Sequence, residues 1–158
     1  MRIVAFGLAI LLVAGTSAAA ERKLVGTYRW VERVAADGHA TLREPDVAGS
    51  MTFSKSKRTV IMGWRGADGT QTAIAVIASY TLTGGKYCET EEYGMQSNLG
   101  APGVAYDQPA TAPVCTAAIS DATGLSFEIP GEKLRLQITR DGIRVTTPTH
   151  TDRWERVR

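Results

Sequence analysis

Tight-turn signals recur along this chain, and each is flanked by a short run of alternating apolar and polar residues. The clearest are Ala36-Asp37-Gly38, Ala67-Asp68-Gly69, Gly84-Gly85, Pro130-Gly131 and Asp141-Gly142. Glycine takes the positive φ that a tight hairpin demands, so each signal predicts two neighbouring antiparallel strands. Residues 26–34 (GTYRWVERV) place Tyr28, Trp30 and Val34 on one parity and Thr27, Arg29 and Arg33 on the other; Val31 and Glu32 break the rule. That is the pattern of a half-buried strand. Residues 49–53 put Met51 and Phe53 on one face, and residues 58–64 follow a basic turn. The segment 72–83 opens with TAIAVIA, which has the length and alanine content of a short helix. Its β-branched Ile74, Val76 and Ile77, continued by Tyr80-Thr81-Leu82-Thr83, favour a strand. Residues 86–93 set Tyr87, Glu89 and Glu91 opposite Cys88, Thr90 and Glu92. Further strands are read over 124–129, 133–139, 143–147 and 152–157. Residues 94–113 hold three Gly and three Pro and read as a long irregular loop, of the kind that is often functional or mobile.

Eight or nine short strands joined mainly by hairpins, each with one apolar face, call for a closed barrel or a sandwich. Sequential short turns favour the barrel. The fold expectation is therefore an all-β, antiparallel up-and-down β-barrel of about eight strands. Such a barrel either fills its interior with side chains or holds one small ligand.

The first segment reads differently. Met1-Arg2 precedes the apolar run of residues 3–14, and small residues lead to Ala18-Ala19-Ala20 before charge begins at Glu21. A basic start, a short apolar run and an A-x-A site are the parts of a secretory signal peptide. The apolar run falls short of the ~20 residues needed to cross a bilayer. Residues 1–20 are thus read as a signal peptide, and residues 21–158 as one domain with no stable membrane insertion after cleavage. The expected location is periplasmic or secreted. Export also bears on Cys88 and Cys115, the only cysteines. An oxidising compartment favours a bridge between them over two free thiols. A redox couple normally uses a C-x-x-C spacing, which these two do not have.

At this point particular residues resemble a known family. Leu24-Val25-Gly26-Thr27-Tyr28-Arg29-Trp30-Val31 resembles the opening strand of lipocalin-like proteins, L-x-G-T-W-x-L-V. Gly49-Ser50-Met51-Thr52-Phe53 is similar to the second strand of that family, Tyr80-Thr81-Leu82 with Lys86-Tyr87 to its central hairpin, and Trp154-Glu155-Arg156-Val157 to its closing strand. The matches run in order over residues 24–157. The resemblance implies a calycin-type barrel with an internal cavity for a small apolar ligand. Tyr28 stands where the family usually has Trp. The resemblance further implies that Arg156, on the last strand, stacks over that ring as a cation–π contact.

The inward parity offers Tyr28, Trp30, Met51, Phe53, Met62, Trp64, Tyr80, Phe127 and Leu136 as ligand-facing residues, with Arg156 as a possible partner for a ligand carboxylate. Aromatic and methionine-rich walls suit a small hydrophobic molecule. A barrel packed solid with the same side chains is the competing expectation. A protein-binding module, such as a secreted protease inhibitor using Leu99, Val104 and Tyr106 of the 94–113 loop, is another. Enzymatic activity is not expected, because no nucleophile, base and orienting group can be assembled. His39 and His150 read as exposed loop residues without a ligand partner at metal-binding spacing, so neither a metal nor a cofactor is expected. Glu32 shares parity with Tyr28 and Trp30 and, like Arg153, reads as a rim charge. Glu89, Glu91 and Glu92 read as a solvated strand face. A formal charge of +2, with 18 basic residues scattered among 16 acidic ones, gives no nucleic-acid footprint. Oligomeric state is not encoded in any feature recognised above.

Overall fold

A computed structural model describes Ala20 and residues 23–158. The signal-peptide reading falls, apart from Ala20, outside these residues. Twelve strands follow one another: β1 (Gly26–Ala35), β2 (Thr41–Arg43), β3 (Val47–Phe53), β4 (Lys57–Arg65), β5 (Gln71–Thr83), β6 (Lys86–Ser97), β7 (Val104–Asp107), β8 (Val114–Ser120), β9 (Leu125–Glu128), β10 (Arg135–Ile138), β11 (Gly142–Thr146) and β12 (His150–Arg156). All pairings are antiparallel. Ten strands form a continuous meander in the order β1-β3-β4-β5-β6-β8-β9-β10-β11-β12, and β12 returns to pair with β1. The barrel is therefore closed and has ten strands rather than eight. β2 and β7 lie outside this ring, each added to one end of a long strand.

The turn chemistry explains the connectivity. Gly84 and Gly85 both adopt positive φ (58° and 71°), the conformation a two-residue hairpin needs to match strand twist, and they join the two longest strands. Segment 72–83 is strand throughout, so its β-branched content outweighs its alanines. On β4, Arg58, Val60 and Met62 are buried at alternate positions; on β5, Thr72, Ala78, Tyr80 and Leu82 are.

The 94–113 region departs from the sequence reading. β6 continues to Ser97, and β7 folds back on it over Gly94–Ser97 to make a hairpin arm. The Asn98 backbone takes φ 53°, its N–H donates to Gly103 O at 2.7 Å, and its Oδ1 accepts from Gly103 N at 2.9 Å. Its Nδ2 donates to Gln71 O at 2.8 Å, tying the arm's tip to β5. β8 is a further strand that sequence periodicity did not reveal, because nearly all of it is exposed and no apolar alternation marks it. It pairs with only the first four residues of β6, and Cys88 and Cys115 face each other in that pairing as a disulfide.

Candidate functional site

The interior of the barrel divides into a packed end and an open one. At the packed end the rings form a chain of contacts. Tyr28 meets Phe53 edge-on at 6.5 Å, Phe53 meets Tyr80 edge-on at 5.7 Å, Tyr80 stacks on Tyr87 at 5.4 Å and Tyr87 on Phe127 at 4.1 Å. Leu24 is fully buried, and Tyr28 Oη donates to its carbonyl at 2.9 Å. Arg156 closes the base: its guanidinium lies 4.7 Å from the Tyr28 ring centroid, and it donates to Val25 O at 2.8 Å, to Lys23 O at 2.6 Å and to the Tyr28 hydroxyl. The stacking proposed from sequence is present, and with these bonds Arg156 acts in closure.

Beyond the aromatic end lies a cavity of about 280 Å³. Met51, Val60, Met62, Trp64, Ile74 and Val76 form one wall, and Ile129, Leu134, Leu136, Val145 and Trp154 the other. Leu99, carried by the β6–β7 arm, reaches its edge. Of the residues that sequence parity placed around a ligand, Met51, Met62, Trp64 and Leu136 line this cavity. Tyr28, Phe53, Tyr80 and Phe127 do not; they fill the packed end. Trp30 supports the cavity from behind, stacked on Trp154 at 5.8 Å and edge-on to Trp64 at 6.0 Å.

Two buried ion pairs contribute to the wall, and neither was foreseen. The first begins with a β-bulge. In β1, Trp30 pairs with Trp154 and Glu32 with Arg153, so Val31 is an extra residue. The bulge reverses the parity of everything after it. Glu32 turns outward to Arg43 and Arg153, while Arg33, assigned by parity to the outer face, turns inward. Its Nε and Nη2 donate to the two oxygens of Asp152 at 2.8 and 2.9 Å. Its guanidinium lies 4.8 Å from the Trp30 ring and 4.4 Å from the Trp64 ring, a double cation–π contact. The break in alternation at Val31 and Glu32 was the signal that could have found it.

His150 is the second correction. It opens β12 rather than sitting in an exposed loop, lines the cavity, and places Nε2 3.6 Å from Asp152 Oδ2. Burial opposes ionisation of Asp152, but hydrogen bonds from Arg33 and His150 outweigh it and hold its carboxyl below the ordinary value.

The third correction concerns Glu89, which is 7% exposed and not solvated. Its oxygens accept from Arg58 Nη2 at 2.6 Å and Arg58 Nε at 2.9 Å, and from the Tyr87 hydroxyl. Burial and the adjacent Glu89 carboxylate push the Tyr87 phenol well above its usual range. For Arg58 burial works against the charge, yet Glu89 outweighs it and raises the guanidinium pKa. Sequence alternation had placed Glu89 on the Tyr87 face, and the missing information was the arginine across from it. Glu132 also borders the cavity. It is exposed, and the protein packed around it still raises its carboxyl pKa by partial desolvation.

A wider depression of about 1040 Å³ lies outside the closed end, among Lys23, Thr123, Arg140, Asp141, Arg156 and Arg158. It is solvent-open and lined mostly by charged and polar residues, and Arg156 is already committed to closure. Among the described residues no three His, Cys, Asp or Glu side chains gather as a metal site.

Comparison with family models, with curated proteins and with solved structures finds no match to this chain. The architecture itself defines the class: a closed antiparallel β-barrel with an interior cavity, compatible with a calycin-type fold.

Proposed function

We propose that this protein is an exported, lipocalin-like carrier that binds one small hydrophobic molecule inside its barrel and has no catalytic role. The observation that carries this reading is the cavity of about 280 Å³ walled by Met51, Val60, Met62, Trp64, Ile74, Val76 and Leu136. Ligand sites are typically concave and mostly apolar, with a few placed polar groups. Here those groups are Arg33, Arg58, Glu132, His150 and Asp152. The disulfide is consistent with an oxidising, extracytoplasmic compartment. Native mass spectrometry of protein purified from an oxidised, exported preparation tests the reading. A bound mass that disappears on denaturation supports it. An empty protein that also fails to take up the neutral fluorophore N-phenylnaphthylamine overturns it.

A second reading has its own support. Val104 and Tyr106 on β7, with Tyr93 beside Tyr106 on β6, are exposed apolar residues at 58%, 66% and 42%. A protein partner, such as a protease, would use that arm. Removing residues 98–107 and finding partner capture unchanged would sink this alternative.

A further inference from the structure

We infer that the cavity is built for an uncharged ligand that carries a hydrogen-bond acceptor, such as a ketone or ester, rather than for a fatty-acid-like anion or an amine. This inference rests on the carrier reading and specifies its ligand class. Three observations lead to it.

The first is an inventory of donors. Arg33 and Arg58 each use Nε and Nη2 on their carboxylates, and no hydrogen bond to either Nη1 is present among the described residues. Both side chains line the cavity. A guanidinium N–H left without a partner in a largely buried site is costly. The wall therefore presents donors that an acceptor oxygen can satisfy.

The second observation is the charge balance. Arg33 is matched by Asp152 and Arg58 by Glu89, while Glu132 adds a further carboxyl at the same cavity. No positive charge is left over for an anion, which would enter a low-dielectric space beside three carboxyl groups. An ammonium could pair only with Glu132, an exposed carboxyl at the cavity's edge, and would face Arg33 and Arg58 and donors it cannot use.

The third is size. A volume of about 280 Å³, just under the ~300–1,000 Å³ usual for small-molecule sites, suits one compact ligand. Arg58 and Trp64 stand six residues apart on β4, about 20 Å along a strand. With Arg33 of β1 over the Trp64 ring, the two guanidiniums stand near opposite ends of β4, and apolar wall residues lie between them.

The test is displacement of N-phenylnaphthylamine from the full, disulfide-bonded protein at pH 7.5 by four probes of near-equal shape. These are benzylacetone, its carboxylate counterpart hydrocinnamate, phenylpropylamine and the hydrocarbon isopentylbenzene. Benzylacetone is expected to bind about three- to tenfold more tightly than isopentylbenzene, the worth of one buried hydrogen bond, and more tightly still than the two ions. Tightest binding by hydrocinnamate or phenylpropylamine, or equal binding of ketone and hydrocarbon, overturns the ligand class while leaving the carrier reading intact. Uptake of neither the fluorophore nor any probe overturns the carrier reading itself.

Discussion

Asp152 shows how much one inward charge matters. It is 3% exposed and serves Arg33 and His150 together. Asp152→Asn leaves the Arg33 guanidinium buried and uncompensated, so a loss of about 3–5 kcal/mol is expected in urea unfolding at neutral pH. The pH dependence has a definite sign. The folded pKa of Asp152 is depressed, so its ionised form adds stability above the unfolded carboxylate value of about 3.9, and that stability is lost as pH falls through the lower folded value. The gap between wild type and Asp152→Asn should therefore narrow in acid; a gap that widened below pH 4 would contradict the assignment. Arg58 and Glu89 allow a companion experiment. Arg58→Met alone strands a buried carboxylate and is expected to cost about 3–5 kcal/mol, whereas Arg58→Met with Glu89→Leu should recover most of it. A double variant as unstable as the single one would mean that the Tyr87 hydroxyl, which bonds to Glu89, carries the larger share.

At the scale of elements, the bulge in β1 decides which charge enters the barrel. Val31 is the residue whose presence shifts the register between Trp30 and Glu32. Val31→Ala should be nearly silent, within about 1 kcal/mol, because the bulge survives and the side chain is only half-buried. Deleting Val31 should remove the bulge and leave a regular ladder with Glu32 still opposite Arg153 and Arg33 still opposite Asp152, so the inward Arg33 is retained. A deletion variant whose thermal melting no longer responded to Asp152→Asn would refute this role, because it would mean that Arg33 had left the interior. β11 and β12 approach closely at Gly142, where an added Cβ would lie 2.0 Å from Trp154 O. Gly142→Ala must therefore push apart two paired strands, one of which carries Trp154 of the cavity wall. The β6–β7 arm sets a different kind of property. Leu99 is 43% exposed yet borders the cavity, so Leu99→Ala should change stability by less than about 1 kcal/mol. It should also speed release of bound N-phenylnaphthylamine several-fold in stopped-flow exchange.

For the whole molecule, closure is the organising fact. Pairing of β12 with β1 removes the edges that an open ten-stranded sheet would expose. The ring is thin at β8, which shares four paired residues with β6 and three with β9 and is mostly exposed. The disulfide sits at that seam. By chain entropy, a bridge between residues 27 apart is worth about 3–4 kcal/mol, so Cys88→Ser with Cys115→Ser should lower unfolding stability by that order. Hydrogen exchange should show the loss first in the β8 amides, and uniform acceleration over the barrel would argue against a local seam.

Much of this fold was legible in the chain. Alternation and glycine turns report local backbone geometry and one-sided burial, both set by near neighbours in sequence. They identified nine of the strand segments, the closed all-β class and the apolar identity of Met51, Met62, Trp64 and Leu136. The Tyr28 and Arg156 partnership was readable only through the resemblance to lipocalin-like proteins, and the pairing of β1 with β12 brings the two together. The sequence alone could not place β8, whose exposure leaves no periodic trace, nor β7, which is held by pairing to the end of β6. It could not show that Glu89 meets Arg58 or that Asp152 meets Arg33, since these partners are joined by the curvature and register of the closed ring. Nor could it divide one inward face into a packed aromatic end and an open cavity. Parity says which way a side chain points, and only the three-dimensional spacing of opposite walls decides whether the space between them is filled.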